Sequence, residues 1–478
     1  MEILVVATEL APYARVGGLA EVVAALSKTL RQQGHNVTLA LPRYPHFERA
    51  GLLVARRLNA LSLDAALSVT VYDGRLPSGV DINLLDVPGF FDRDGIYGDA
   101  DRDYADNPER FALFCRAAAE LARQRERAGN PVDVIHAHDW PAALLPLYVR
   151  KDSSGFVKRP PTVFTVHNLA HQGIVEPDRL DALAIPRDLF NPEGVEFYGR
   201  INILKAGLVF ADAITTVSRT YAAEIRTPEL GRGLDGVIAS RASRVTGILN
   251  GVDYAIWNPA TDPHVPARFD AEDPTGKSLC KTSLLKELSL DMNPQRPVVA
   301  VLGKLVDRKG TDLVVQSLNK LFLSDLALVV AGDGDEAIAR RLDAAKERFA
   351  GRFAFVRAPS DAQLHRIVAG ADIVLVPSRF EPCGVTQLWG QRYGTVPVAH
   401  ATGGLVDTIV DCDASLTTGT GFLFDEASPT SLLSGVQRAL AAYGSDAWPK
   451  LRRRVMRLDL SWDRPAHQYT QLFRSLQS

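Results

Sequence analysis

A chain of 478 residues, 46% hydrophobic and 23% charged with a formal net charge of -2, has a globular composition and room for two α/β domains. So even a charge balance excludes a nucleic-acid footprint, and basic runs such as Arg452-Arg453-Arg454 read as solvated helix faces. The longest apolar stretches, such as 206–217 with its Asp212, fall short of the roughly 20 residues that a membrane span needs.

The chain starts with a short apolar run, 3–7, that no basic segment precedes, which argues against a signal peptide. Cys115, Cys280, Cys383 and Cys412 are scattered without a C-x-x-C pair and read as free thiols in a reducing compartment. The expected location is the cytoplasm, with no membrane contact and no nucleic-acid partner.

Residues 3–8 predict a buried parallel strand. A loop with Gly17-Gly18 follows, then a helix in which Leu19, Val22, Val23, Leu26 and Leu30 share one face and Gly34 supplies the stop. Residues 37–41 begin the next strand, and the alternation continues through 132–136 and 161–167. The acidic loop 92–106 carries Asp99, Asp101 and Asp103 at alternate positions. It lacks the glycine and glutamate of a calcium loop, because Tyr104 and Arg110 stand there, and so reads as a solvated segment or lid.

Residues 258–297 hold Pro259, Pro263, Pro266, Pro274 and Pro294 and read as a linker with a short helix. A second αβ series then places strands at 298–303, 326–331, 373–377 and 396–399. The fold class is α/β: two doubly wound domains facing a cleft, with ligand loops at the carboxyl ends of the strands. Gly403-Gly404-Leu405 echoes Gly17-Gly18-Leu19, as if the halves were similarly built.

Several side chains can carry chemistry. Arg15 with Gly17 and Gly18 opens a helix and offers N–H groups and a cation to an anion, although a tight turn explains the glycines equally well. Lys304 and Lys309 follow a strand, where they can neutralise a leaving diphosphate or simply be surface lysines. Glu381 precedes a helix start at Gly384 and Val385; it can accept sugar hydroxyls, or it can cap the helix. His136-Ala137-His138-Asp139-Trp140 and Thr165-Val166-His167-Asn168 end strands. No third ligand stands at a zinc spacing, so the expectation is no metal, with polar groups and the Trp140 face suited to carbohydrate.

Together these motifs resemble the bacterial glycogen synthase and plant starch synthase family over nearly the whole chain. The resemblance rests on 15–21, 136–140, 164–168, 204–211, 304–310 and 402–407, on Leu249-Asn250-Gly251-Val252-Asp253, and most specifically on Val376-Pro377-Ser378-Arg379-Phe380-Glu381-Pro382-Cys383-Gly384. It implies a GT-B fold of two Rossmann-like domains facing a deep cleft. Residues 1–250, completed by a returning helix at 461–478, would take the glucan, and 251–460 the nucleotide sugar.

The implied activity is transfer of glucose from ADP-glucose to the non-reducing end of an α-1,4-glucan with retention, without metal or cofactor. Alternatives are a UDP-glucose or dual-donor synthase, a GT-B enzyme acting on a small acceptor, and a catalytically weak glucan-binding paralogue. By resemblance, Glu381, Lys309, Lys304, His167 and Asp139 are catalytic. Arg15, Gly17, Gly18, Asn250, Cys383, Gly384, Val385 and Thr386 would bind the donor, and Tyr97, Glu9 and Trp140 the sugar or acceptor.

The chain departs from the family pattern in three places. Arg15 replaces a usual lysine and Lys304 a usual arginine, as if exchanged, so the two are expected to compensate on one diphosphate; Arg and Lys are not equivalent at bidentate sites. Pro359 stands where an aromatic residue often stacks on the base, which leaves the ADP preference open. Glu21 replaces a usual aspartate.

Overall fold

In the first sheet the central strand is apolar beyond its first residue: Ile3, Leu4, Val5 and Val6 are fully buried, as expected when helices cover both faces of a parallel strand. This computed structural model describes residues 1–64, 67–99 and 102–477 and divides the chain into two units, Met1–Ile248 with Trp462–Ser478, and Leu249–Ser461. The strands of the first unit are β1 (Glu2–Val6), β2 (Asn36–Pro42), β3 (Val54–Arg56), β4 (Leu61–Ser62), β5 (Ser68–Arg75), β6 (Asp81–Asp86), β7 (Val134–His138), β8 (Thr162–Val166), β9 (Ile174–Val175), β10 (Glu196–Phe197), β11 (Arg200–Asn202), β12 (Ala213–Thr216) and β13 (Val245–Gly247).

The main sheet runs β13-β12-β8-β7-β1-β2-β6-β5-β3, parallel from β13 to β6, with β5 and β3 added antiparallel at one end. The chain lays β2 and β6 on one side of β1, then returns to lay β7, β8, β12 and β13 on the other. The reversal lies between β1 and β7, where loops after adjacent strands diverge and open a crevice. Helix Asp463–Ser475 closes this unit at its C-terminus. Its Tyr469 and Phe473 rings lie 5.1 and 5.5 Å from the His136 ring, and Thr470 shares a 3.1 Å hydrogen bond with His35.

The second unit repeats the plan with β14 (Val298–Leu302), β15 (Ala327–Gly332), β16 (Phe353–Arg357), β17 (Ile373–Val376), β18 (Val396–His400) and β19 (Phe422–Phe424). Their order is β16-β15-β14-β17-β18-β19, all parallel, so this reversal lies between β14 and β17.

Two segments differ from the sequence reading. Residues 258–297 are no linker but packed structure within the second unit. The buried Asp262 carboxylate accepts from Tyr393 at 2.5 Å and pairs with His365 at 2.7 Å, while Trp257 stacks between His365 and Trp389. The prolines there punctuate an irregular chain that side-chain contacts hold down. The described residues of the loop 92–106 likewise form no free lid. Tyr97 is tied by its hydroxyl and its carbonyl, and the buried Arg110 guanidinium donates to the carbonyls of Phe90 and Ile96. Asp101 lies outside the described residues.

All four cysteines are free and buried. Among the described residues no helix is long and apolar enough to cross a membrane.

Helix Thr275–Glu287 is anchored by ions. Lys281 Nζ lies 2.7 Å from Asp372 Oδ2, both side chains are about 6% exposed, and the same oxygen accepts the Val298 N–H at the start of β14. Removing one charge strands the other in a dry site. Lys281→Met is expected to cost about 3 kcal/mol or more of unfolding free energy in urea, and a loss under about 1 kcal/mol would contradict this role for the pair.

Candidate active site

The reversal point of the second unit gathers one set of expected residues. Beyond β14, the turn Asp307–Lys309 ends at Gly310, with φ +69°; a Cβ there would stand 2.0 Å from the Pro377 carbonyl oxygen. Only glycine lets this turn dock on the loop after β17. The docking brings Lys309 Nζ to 2.6 Å from Glu381 Oε2, and the Ser378 hydroxyl donates to the same oxygen at 2.8 Å.

Glu381 is buried, and its backbone is clamped from behind. Gly404 N–H donates to the Glu381 carbonyl at 3.1 Å, and a Cβ on Gly403 would stand 2.1 Å from that oxygen. Glu381 Oε1 has no protein partner among the described residues, so an acceptor remains for a ligand hydroxyl. Lys304, Lys309, Thr311, Ser378, Glu381 and Thr386 line one small hollow.

Helix Thr386–Arg392 begins beside them, preceded by Gly384 at φ +73° and by Val385, and no side chain caps its first turn. Gln387 secures this corner by donating to the Cys383 and Gly384 carbonyls and to Thr408 Oγ1, each at 3.1 Å. Burial pushes the Cys383 thiol up to about 12, so at neutral pH it packs as a small apolar group against the Asn250 backbone. Asn250 Oδ1 is buried without a partner among the described residues.

In the first unit, Glu9 dominates the loop after β1. Its Oε2 accepts the N–H groups of Val16 and Gly17 at 2.8 and 2.9 Å, and its Oε1 accepts the Tyr97 hydroxyl at 2.8 Å. A protein carboxylate therefore already occupies two of the N–H groups that the glycine loop could offer an anion. Arg15 is no loose cation either; it pairs with Glu21 at 3.0 Å. Space is still left, since a Cβ added at Gly17 or Gly18 would meet nothing within 4 Å.

Across the reversal, Asp139 follows β7 at φ 56°, and its Oδ1 accepts the His167 N–H at 2.7 Å. Desolvation, helped by the nearby Glu9 charge, outweighs that bond and pushes the Asp139 carboxyl up to about 7. Burial holds His167 down to about 3, so its ring is neutral. His167 Nε2 lies 2.9 Å from Nδ1 of the buried His138, and His136 Nε2 lies 2.6 Å from Thr165 Oγ1. His136 and His138 share a face of β7 at the two-residue period and form part of the interior. Among the described residues, no group of three His, Cys, Asp or Glu side chains could hold a metal.

Trp140 is a wall more than an open platform, with its ring edge-on to Phe111 at 5.3 Å and Gly173 tight against it. The Tyr97 hydroxyl donates to Glu9 and shares a 2.8 Å hydrogen bond with the Thr8 hydroxyl, so its direct effect is on the glycine loop. Sequence reasoning did not single out Ser378, and it named His138 without its contact to His167. Ser378 lies inside the most specific motif, whereas nothing in the spacing of His138 reveals its partner across the sheet.

The raised Asp139 pKa fixes a pH dependence. Between the unfolded value near ~4 and about 7 the folded state binds a proton that the unfolded chain has lost, so this group makes stability fall as pH rises through that window. Asp139→Asn keeps an acceptor for the His167 N–H and is expected to flatten that slope in urea unfolding at pH 5, 6 and 7. An unchanged slope would place the shift elsewhere.

The starch synthase catalytic domain family matches residues 2–240, and the glycosyl transferases group 1 family matches 288–455. A glycogen synthase of Anaeromyxobacter sp. (strain Fw109-5) is 44% identical over all of this chain and 99% of its own length; glycogen synthase 2 of Geobacter sulfurreducens is 40% identical over 99% and 98%. Among solved structures, the catalytic domain of starch synthase IV from Arabidopsis thaliana, bound to ADP and acarbose, superposes with a TM-score of 0.91 at 32% identity, covering 100% of this chain and 99% of that one. Sucrose-phosphate synthase from Thermosynechococcus elongatus, with a TM-score of 0.62 at 18% identity over 99% and 98%, shares the fold alone. With GT-B architecture and full-length likeness of this kind, the chain belongs to the glycogen and starch synthase family of glycosyltransferases.

Proposed function

We propose that this protein extends α-1,4-glucans in the cytoplasm by transferring glucose from ADP-glucose to the non-reducing end, with retention and without metal or cofactor. The observation that carries the proposal is the Lys309–Glu381–Ser378 cluster in the hollow at the reversal point of the second unit.

Departure of a nucleoside diphosphate builds negative charge on its phosphate. Lys304, Lys309 and the uncapped helix start at Gly384, Val385 and Thr386 offer compensating positive charge and N–H groups there. Before the donor arrives, Glu381 neutralises Lys309 and holds it in place. In the complex the ammonium is shared with phosphate, while the free Glu381 oxygen accepts a sugar hydroxyl and favours oxocarbenium-like charge. The leaving phosphate then assists deprotonation of the incoming hydroxyl on the same face, which retains configuration. In the first unit His167 and Asp139 offer hydrogen bonds to a glucosyl group, with Glu9, Tyr97 and Trp140 shaping the sugar side, and in the second unit Asn250 offers its buried Oδ1 to the donor. Neutral His167 suits hydrogen bonding to hydroxyls without adding charge.

ADP is favoured by the ADP-bound state of the similar plant starch synthase IV. UDP-glucose is the second reading, favoured by Pro359, which offers the base no π face. Labelled-glucose incorporation into glycogen, run side by side, is expected to show a higher kcat/KM with ADP-glucose. A reversed ratio would make the enzyme a UDP-glucose synthase, and no incorporation from either donor would overturn the proposal. Lys309→Ala and Glu381→Gln are each expected to lower kcat by about 10²–10³ with an unchanged circular dichroism spectrum. A β-linked product by NMR would refute retention.

A further inference from the structure

The hairpin β10–β11 carries an aromatic side chain in an unusual setting. Register pairs Glu196 with Ile201 and Phe197 with Arg200, so Tyr198-Gly199 is a two-residue loop. Both residues have positive φ, 49° and 79°, the geometry of a type I′ turn that Asn-Gly fills without strain. A tyrosine in the left-handed region is a steric outlier, and such outliers cluster where a side chain is needed for something other than folding. This one is 81% exposed.

The exposed ring is nonetheless held. Phe197 meets it edge-on at 4.7 Å and 79°, and Gly233 lies beneath both rings. A Cβ on Gly233 would stand 2.9 Å from Phe197 Cζ and 3.3 Å from Tyr198 Cε2. The hairpin base is fixed as well, because the buried Lys205 ammonium donates to the Glu196 carbonyl at 2.6 Å and to Pro192 at 2.7 Å. β9 pairs with β11, and Asn202 donates to Gln172 at 2.7 Å. Gln172 and Gly173 belong to the loop that starts at His167, and Gly173 packs on Trp140. The hairpin is therefore braced on the segments that carry Asp139, Trp140 and His167.

We infer that Tyr198 is a binding platform for an α-glucan chain, engaging a glucosyl unit other than the one being extended. This rests on the glucan-synthase reading above. A fixed aromatic face matches the C–H face of a pyranose ring, whereas a protein surface would offer more apolar area than one ring. A polymeric acceptor extends past its reacting end and has further sugar rings to place on such a face.

Tyr198→Gly removes the ring and relieves the backbone, which separates binding from folding; Tyr198→Phe keeps the ring. Retardation in glycogen-containing native gels and the KM for glycogen are the readouts, with thermal unfolding alongside. For Tyr198→Gly the expected results are about a three- to tenfold weaker glycogen affinity, unchanged KM for the nucleotide sugar and an unchanged or raised Tm. Tyr198→Phe should behave as wild type. Equal affinity in wild type and Tyr198→Gly would overturn the platform, as would equal losses in both variants or a loss accompanied by a lower Tm. A wild-type enzyme that elongates no glycogen would overturn the functional reading instead, and glycogen retardation still tests the platform without turnover.

Discussion

The placement of the first strand of each unit at the middle of its sheet governs everything functional in this chain. Because β1 and β14 must be flanked on both sides, the chain builds outward in one direction, returns and builds in the other. Loops leaving the two strands at the reversal are pulled apart, so backbone groups there lack sheet partners and small crevices open. Glu9 and the glycine pair follow β1, and Asp139 follows β7. Lys304 and Lys309 follow β14, and Ser378 and Glu381 follow β17. The residues with perturbed or exposed chemistry are therefore fixed by topology before any side chain is chosen.

Within the second unit, close approach then does the work of orientation. Gly310 lets the lysine turn lie on Pro377, and Gly403-Gly404 lets a helix start lie on the Glu381 backbone. The ion pair between Lys309 and Glu381 follows from those two dockings. Its worth to stability is modest, since desolvation offsets much of the Coulomb gain. Its value is positional: a buried carboxylate with one oxygen satisfied and one open is a fixed acceptor beside a cation that a phosphate can recruit.

Much of this was legible in the sequence. Apolar runs gave β1, β2, β14, β15, β17 and β18 to within a residue or two, and the spacing of Leu19, Val22, Val23, Leu26 and Leu30 gave the first helix. Short parallel strands are almost entirely apolar, which is why they stand out. The antiparallel additions β3 and β5, and the hairpin β10–β11, did not stand out, because short half-exposed strands carry weak patterns. The segment 258–297 misled for a physical reason. Proline density marks irregular backbone but does not distinguish a free chain from one held by Asp262, Trp257 and Lys281, whose partners lie about 90 or more residues away. The cluster around Glu381 was visible as a motif, but the Glu9 bond to the glycine loop was not, since seven residues of separation reveal no geometry.

The two glycine pairs show how the same residues can serve opposite needs. At Gly403-Gly404 glycine is required because carbonyl oxygens stand about 2.1 Å from any added Cβ; at Gly17-Gly18 no atom stands within 4 Å. One pair allows packing, and the other keeps space clear. That cleared space is not strongly cationic, however, because Glu9 and Glu21 set two carboxylates against the single guanidinium of Arg15. The hollow of the second unit has the reverse balance, with Lys304 and Lys309 against Glu381. An anionic nucleotide gains more from the second setting, and a neutral sugar, which needs room and hydrogen-bond acceptors more than charge, loses nothing in the first. The expected division of donor and glucan is thus in keeping with the charge balance of the two settings.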